Sequence, residues 1–370
     1  MKKSFLLVGL CGQAVLIAGQ SELYNATTGD ERAQIIDDVA SKDASGQEVK
    51  CIENTNLSPE TFFDDFRSLA TIEATLAEWA NCYPGLASFI PSIGKTYEGR
   101  DIFAFEIASE GTGKKGIWFN GGLHAREWIA PATAIYVIHR LLEEASTPRV
   151  KKLLDGFDFY FTPLANPDGY EYSRLPGNRR WRKNRNDNGD GTFGVDLNRN
   201  WNVHWHTRAK QATSSEITYP GPFPHSEQEV QALANYSLAI PRGYGGIDFH
   251  SYSQFILRNW GWTKQNSSNE DVLIEISQKM QEAFQANGYR YETLKASGMY
   301  VDSGYLSDWM ASEAKLVSLT VELCPDKKED YDFEFPANSI LACARGAYAA
   351  SLAFSEYLAE HPDIPPTHPI

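Results

Sequence analysis

Along most of the chain, apolar residues recur at one of two spacings, and these spacings predict the elements. From Leu69 to Trp79 they fall three and four apart, the period of a helix face, and Tyr83-Pro84-Gly85 follows as a stop signal. Ala130 to Leu142, Val272 to Ala286 and Ile340 to Leu358 read as helices for the same reason. Ile102 to Ile107, Ile117 to Asn120, Phe157 to Leu164, Ile247 to His250 and Leu316 to Leu323 are short apolar runs of the kind buried strands use. Asn166-Pro167-Asp168-Gly169 reads as a turn. Strands separated by helices imply a single α/β domain with a mixed, mainly parallel, twisted sheet flanked by helices. No internal repeat is visible.

The ends of the chain differ from this periodic middle. Lys2 and Lys3 precede a mostly apolar run from Ser4 to Gly19, which reads as a signal peptide over residues 1–20. An N-terminal core helix is the other reading. A lipoprotein cleavage before Cys11 is disfavoured by Leu10. Residues 21–56 are polar and acidic and read as an extension or linker, too short for an independently stable domain. The main folded domain is expected over 57–361, followed by a Pro-rich tail over 362–370. No later stretch is apolar enough to span a bilayer.

Composition narrows the function classes. With 34 Lys+Arg against 48 Asp+Glu, the 370-residue chain has a formal charge of -14. That excludes the basic footprint nucleic-acid binding needs, and non-specific docking on anionic membranes. Export would remove Cys11, leaving Cys51, Cys82, Cys324 and Cys343, which allow three pairings. Closeness in sequence favours Cys51–Cys82 and Cys324–Cys343, four free thiols being the alternative; disulfides suit an oxidising, extracellular or periplasmic location. Sequons at Asn25, Asn56, Asn235 and Asn266 matter only in a eukaryotic source.

The chemistry collects at predicted strand ends, where ligands bind in open α/β sheets. His124 follows the strand ending at Asn120, and Glu127 lies three residues on. H-x-x-E alone describes many surface pairs equally well. His250, closing another strand, is the natural third ligand, though read alone it is equally a core histidine. Two His and one Glu suit a catalytic zinc with an open position for water. Glu322 closes a third strand, as a base or as a salt-bridged strand end. Asn186 to Gly191 looks like the start of a calcium loop, but its twelfth position is Leu197, not Glu, so it reads as a polar turn.

Seven motifs in order make the pattern specific. They are Tyr97-Glu98-Gly99-Arg100, His124-Ala125-Arg126-Glu127-Trp128, Asn166-Pro167-Asp168-Gly169, Trp181-Arg182-Lys183-Asn184-Arg185, Val195-Asp196-Leu197-Asn198-Arg199-Asn200-Trp201, His250-Ser251-Tyr252-Ser253-Gln254 and Val321-Glu322-Leu323. From about residue 60 to about 360 the chain resembles the zinc carboxypeptidases of the A and B group, in their digestive branch. The resemblance implies one zinc ion held by His124, Glu127 and His250, Glu322 as general base, and Arg182 polarising the scissile carbonyl. It also implies that Asn198 and Arg199 bind the C-terminal carboxylate of a peptide or protein, with Arg126 as an auxiliary cation and Tyr300 closing over the substrate. Asp196 would orient a zinc histidine.

Fifteen residues before Glu322 the family places the base of its specificity pocket, and Ser307 stands there. Tyr305 and Leu306 are expected to narrow this pocket and Asp302 to face it. The expectation is a secreted, monomeric exopeptidase with a neutral pocket for apolar or aromatic C-terminal residues. Broad or basic-tolerant specificity through Asp302 is the alternative, and a non-catalytic peptide-binding relative the more distant one. The stretch between signal and domain is too short for a globular inhibitory prosegment, so activity without removal of a large fragment is expected.

Overall fold

Among the described residues, eight strands form one sheet. The computed structural model describes residues 59–205, 212–326 and 331–368. The expected signal peptide, the linker and Cys51 lie outside the described residues.

The elements follow the apolar spacing. Helix α1 (Leu69–Cys82) starts where Ser68 Oγ accepts the Thr71 N–H, and it buries Leu69, Ile72, Leu76 and Trp79. Strands β1 (Ala87–Lys95) and β2 (Asp101–Ile107) pair antiparallel. After β3 (Lys115–Gly121) come α2 (Ile129–Glu143), α3 (Pro148–Gly156), β4 (Phe157–Thr162) and α4 (Pro167–Arg174). Helix α5 (Gln228–Ala239) precedes β5 (Gly243–Ser253) and β6 (Phe255–Arg258). Then follow α6 (Glu270–Ala286), β7 (Glu292–Lys295), α7 (Leu306–Ser312), β8 (Val317–Asp326) and α8 (Ile340–Glu360).

The sheet, in the order β1-β2-β4-β3-β5-β8-β6-β7, is mixed: β4, β3, β5 and β8 run parallel at its centre, with antiparallel pairings outside them at β1–β2, β2–β4 and β6–β8. Alternation sorts the central side chains onto two faces. Ile117, Phe119, Phe159, Phe161, Ile247, Phe249, Leu319 and Val321 join the larger core, together with α2, α6 and α8. Phe119 stacks on Phe161 at 5.1 Å and on Phe249 at 6.1 Å. Helix α8 crosses so close to β5 that a Cβ on Gly245 would sit 2.4 Å from Leu358 Cδ1. Asn120, Asp248, His250 and Glu322 alternate with these residues. They therefore belong to the opposite face, where Trp118, Leu197, Trp201, Leu306, Trp309 and Met310 form a smaller core. That alternation gathers the chemical residues on one side of the sheet.

One expectation changes and two features are added. Asn166-Pro167-Asp168-Gly169 begins helix α4 instead of a free turn: Asn166 Oδ1 accepts the Gly169 N–H at 2.9 Å, and Pro167 fills the first helical position. Strand β1 went unseen because Pro91 and a largely exposed pattern hide it; an edge position tolerates both. The Pro-rich end is pinned: the Ser268 N–H donates to the His368 carbonyl at 2.7 Å, and Asn269 Nδ2 to the buried Thr367 Oγ1 at 2.9 Å. Cys324 is bonded to Cys343, tying β8 to α8. Cys82 is also disulfide-bonded. Among the described residues no helix is long and apolar enough to cross a membrane.

Candidate active site

Parallel strands β3, β5 and β8 end beside one another and deliver the site. The turn after β3 carries His124 and Glu127, β5 carries His250, and β8 carries Glu322 in register with His250. Ligand atoms of His124, Glu127 and His250 all lie within 4.8 Å of one another, and all three residues are buried. The two Nδ1 atoms face each other at 3.0 Å. Glu127 Oε1 is 2.9 Å from His124 Nδ1, and Oε2 is 3.0 Å from His250 Nδ1. Two imidazole lone pairs and a carboxylate converging out of water are the donor set of a divalent transition metal.

The outer edges of both imidazoles are held by carboxylates. Asp196 Oδ1 lies 3.2 Å from His124 Nε2, the contact expected from sequence. Asp248 Oδ2 lies 2.7 Å from His250 Nε2, a partner the sequence reading missed. Behind Asp248 a buried chain crosses three strands: Trp118 Nε1 donates to Thr162 Oγ1, which donates to Asn120 Oδ1, and Asn120 Nδ2 donates to Asp248 Oδ1. With Nε2 bearing the proton, Nδ1 is left as a lone pair facing Glu127.

Charge completes the picture. Burial pushes Glu127 up, but His124 and His250 together outweigh it and hold the carboxyl well below the usual range. Burial pushes His250 down, but Asp248 and Glu127 outweigh it and raise the imidazole well above its ordinary value. The cluster thus favours a positive charge at its centre, as a metal ion would provide. Glu322 is pushed up to about 7, chiefly by burial.

His124, Glu127, Arg182, Asn198, Arg199, Tyr300, Ser307 and Glu322 all line one cavity of about 260 Å³. Arg182 is set by Asp196, whose Oδ2 accepts from Nε at 2.9 Å and forms an ion pair with Nη2 at 2.9 Å. Asn198 and Arg199 sit on a short 3-10 turn capped by Asp196, and Asn198 Oδ1 accepts the Leu306 N–H at 2.8 Å. Arg126 does not border the cavity; its guanidinium stacks at 3.8 Å on Phe333, which does.

The pocket expectations are corrected at two residues. Asp302 does not line the cavity: its Oδ2 accepts from Arg199 Nε at 3.0 Å. Leu306 is fully buried in the smaller core and does not narrow the opening, whereas Tyr305 does line it. Leu257, Ala296, Met299 and Thr320 join Tyr305 and Ser307 in a wall without formal charge. The support beneath the segment carrying Asn198 and Arg199 has no counterpart in the sequence expectations. Asn184 Nδ2 donates to Glu227 at 2.6 Å and to Glu229 at 3.1 Å, while its Oδ1 accepts the Val195 N–H. The calcium-like stretch is a polar turn, with Asp190 accepting from Thr192.

Comparison with known proteins agrees with this geometry. Residues 72–350 match the family model described as zinc carboxypeptidase. The chain is 35% identical over 288 residues to zinc carboxypeptidase A 1 of Anopheles gambiae, covering 75% of this chain and 64% of that protein. It is 34% identical over 277 residues to carboxypeptidase B of Astacus astacus, covering 73% of this chain and 89% of that one. Carboxypeptidase A from Helicoverpa armigera superposes with a TM-score of 0.71 at 26% identity, over 88% of this chain and 81% of that one. Bovine thrombin-activatable fibrinolysis inhibitor, solved with a tick carboxypeptidase inhibitor, gives 0.74 at 28%, over 81% and 99%. The chain belongs to the zinc carboxypeptidase family, whose members are metallocarboxypeptidase hydrolases.

Proposed function

We propose that the protein is a secreted exopeptidase that removes single residues from free peptide C-termini, using one zinc ion held by His124, Glu127 and His250. The observation that carries this reading is that His124 and Glu127 line one cavity with Glu322, Arg182, Asn198 and Arg199, while His250 stands directly behind them. When bound, the ion supplies Lewis acidity, lowering the pKa of water toward ~7 and polarising a carbonyl. Glu322 takes the proton of the attacking water and passes it to the leaving amine; its pKa near 7 suits both directions of transfer. Arg182, fixed by Asp196, donates to the scissile carbonyl oxygen as charge develops there. Asn198 and Arg199 receive the terminal carboxylate, with Tyr300 beside them. Arg126, outside the cavity, favours an anionic groove ligand.

The uncharged wall of Leu257, Ala296, Met299, Tyr305, Ser307 and Thr320 supports a preference for apolar or aromatic C-terminal residues. With Asp302 spent on Arg199, nothing in this wall favours Lys or Arg. Secretion is supported by Lys2-Lys3 and the apolar run after them, together with disulfide bonding at Cys82, Cys324 and Cys343. Peptides differing only in a last Phe, Leu, Lys or Arg test the pocket. Faster loss of Phe and Leu is expected; preferential release of Lys or Arg would refute it.

A further inference from the structure

Arg199 is almost wholly buried and already engaged on three sides. Its Nε donates to Asp302 Oδ2 at 3.0 Å, its Nη1 to the Asn198 carbonyl at 2.7 Å, and its Nη2 to the Tyr300 hydroxyl at 3.0 Å. The Tyr305 ring lies 4.6 Å from the guanidinium carbon. A guanidinium carries five N–H groups in a rigid fork. One bond from each nitrogen leaves one N–H on each of Nη1 and Nη2, the pair that grips a carboxylate in a bidentate way.

Asp302 is itself held. Its Oδ1 accepts the Ser303 N–H at 2.9 Å, and its own N–H donates to the Gly261 carbonyl at 3.2 Å. The adjoining backbone presses on that of Arg199. Gly304 has φ +76°, and a Cβ there would stand 2.2 Å from the Arg199 carbonyl oxygen, so only glycine fits. The Trp201 N–H donates to the Gly304 carbonyl, and the Gly304 N–H to that of Val203. The segment carrying Asp302 is thus locked against the turn carrying Arg199.

We propose that Asp302 is a positioning residue of the carboxylate receptor: by holding Arg199 Nε it fixes the guanidinium plane so that Nη1 and Nη2 face the terminal carboxylate. This rests on Arg199 being that receptor. Without that bond the guanidinium is held only through the Asn198 carbonyl and the Tyr300 hydroxyl, and a plane free to tilt grips the anion less often with both nitrogens. The loss falls on binding common to ground and transition states, so it appears in KM.

The test uses full-length, zinc-loaded protein and a peptide ending in a free Phe. Asp302→Ala should raise KM at least tenfold with kcat within about threefold. Asp302→Asn keeps an oxygen that can accept from Nε and should stay within about threefold of wild type in KM. Residual cleavage of the amidated peptide should be the same in all three proteins, since it has no carboxylate to place. Thermal midpoint and zinc content are measured on each; Asp302→Ser, too short to reach Nε, replaces Ala if that variant does not fold. An unchanged KM in Asp302→Ala, equal damage in Asp302→Asn, or a parallel loss on the amidated peptide would overturn the proposal. Arg199→Ala separates the two claims. If it leaves KM unchanged, the receptor reading falls and takes this proposal with it. If it raises KM while Asp302→Ala does not, only the role of Asp302 falls.

Discussion

Asp248 should determine how tightly the metal is held, although it touches no metal itself. Its two oxygens serve two buried donors, His250 Nε2 at 2.7 Å and Asn120 Nδ2 at 2.8 Å. Asn198 Nδ2 lies 3.3 Å from the same ring nitrogen, but it is a donor and cannot replace the carboxylate, because Asn198 Oδ1 is taken by the Leu306 N–H. Asp248→Ala strands both donors, costing folding ~1–3 kcal/mol for each. The imidazole also loses the partner that sets its tautomer, and such outer partners typically carry 10–100-fold in metal affinity, ~1.4–2.7 kcal/mol. Zinc affinity measured by competition with a chromogenic chelator should fall by about that factor. Asp248→Asn keeps the shape and covers the case in which Ala does not fold. Asn120→Ala is the control: it strands the Thr162 hydroxyl and removes the donor to Asp248 Oδ1 but leaves the Asp248–His250 bond, so stability falls while zinc affinity stays within about threefold. A zinc affinity in Asp248→Ala within twofold of wild type, or an equal loss in Asn120→Ala, would refute the reasoning.

Other outcomes follow from the same geometry. Glu322→Gln should lower kcat by about 10²–10⁴ with little change in zinc content, measured by steady-state kinetics and metal analysis. Activity should need ionised Glu322: kcat/KM rises with pH through the pKa of that carboxyl and is lost below it. Burial, opposed by His250 and Arg182, places that value at about 7, and a bound cation draws it down, so the acid limb should lie at or below pH 7 and vanish from the residual Glu322→Gln rate. Arg182→Ala should cost about 10²–10³ in kcat, with KM affected less. Removing Cys324–Cys343, which closes a 19-residue separation, should lower unfolding stability by about 3 kcal/mol in a denaturant titration.

The juxtaposition of His124 and His250 was legible because each stands at or just past the end of a short apolar run, and strand ends of a parallel sheet meet; Glu127 followed from its place three residues after His124. His250 could be matched to His124 without knowing the strand order, since only such runs could carry either. Asp248 was equally within reach: it lies two residues before His250, so strand alternation puts both on one face. Asp302 was misjudged for the opposite reason. Its use depends on a backbone contact between Gly304 and Arg199, about a hundred residues apart, which no local spacing encodes. Asn166-Pro167 illustrates a shared signal, since an N-cap followed by proline opens both turns and helices. Strands β6 and β7 have four residues each, too few for period two to stand out; pairing with β8 and with each other makes them strands.

The central claim is metal-dependent removal of single residues from free C-termini. Mature protein should be offered matched peptides with free and amidated ends, with and without a strong chelator, and the products read by mass spectrometry. Stepwise loss of one residue at a time is expected, far faster from free ends than the residual rate from amidated ones, abolished by chelator and restored by zinc. Cleavage within the peptide, equal attack on amidated ends, or no hydrolysis by folded, zinc-loaded protein would contradict it.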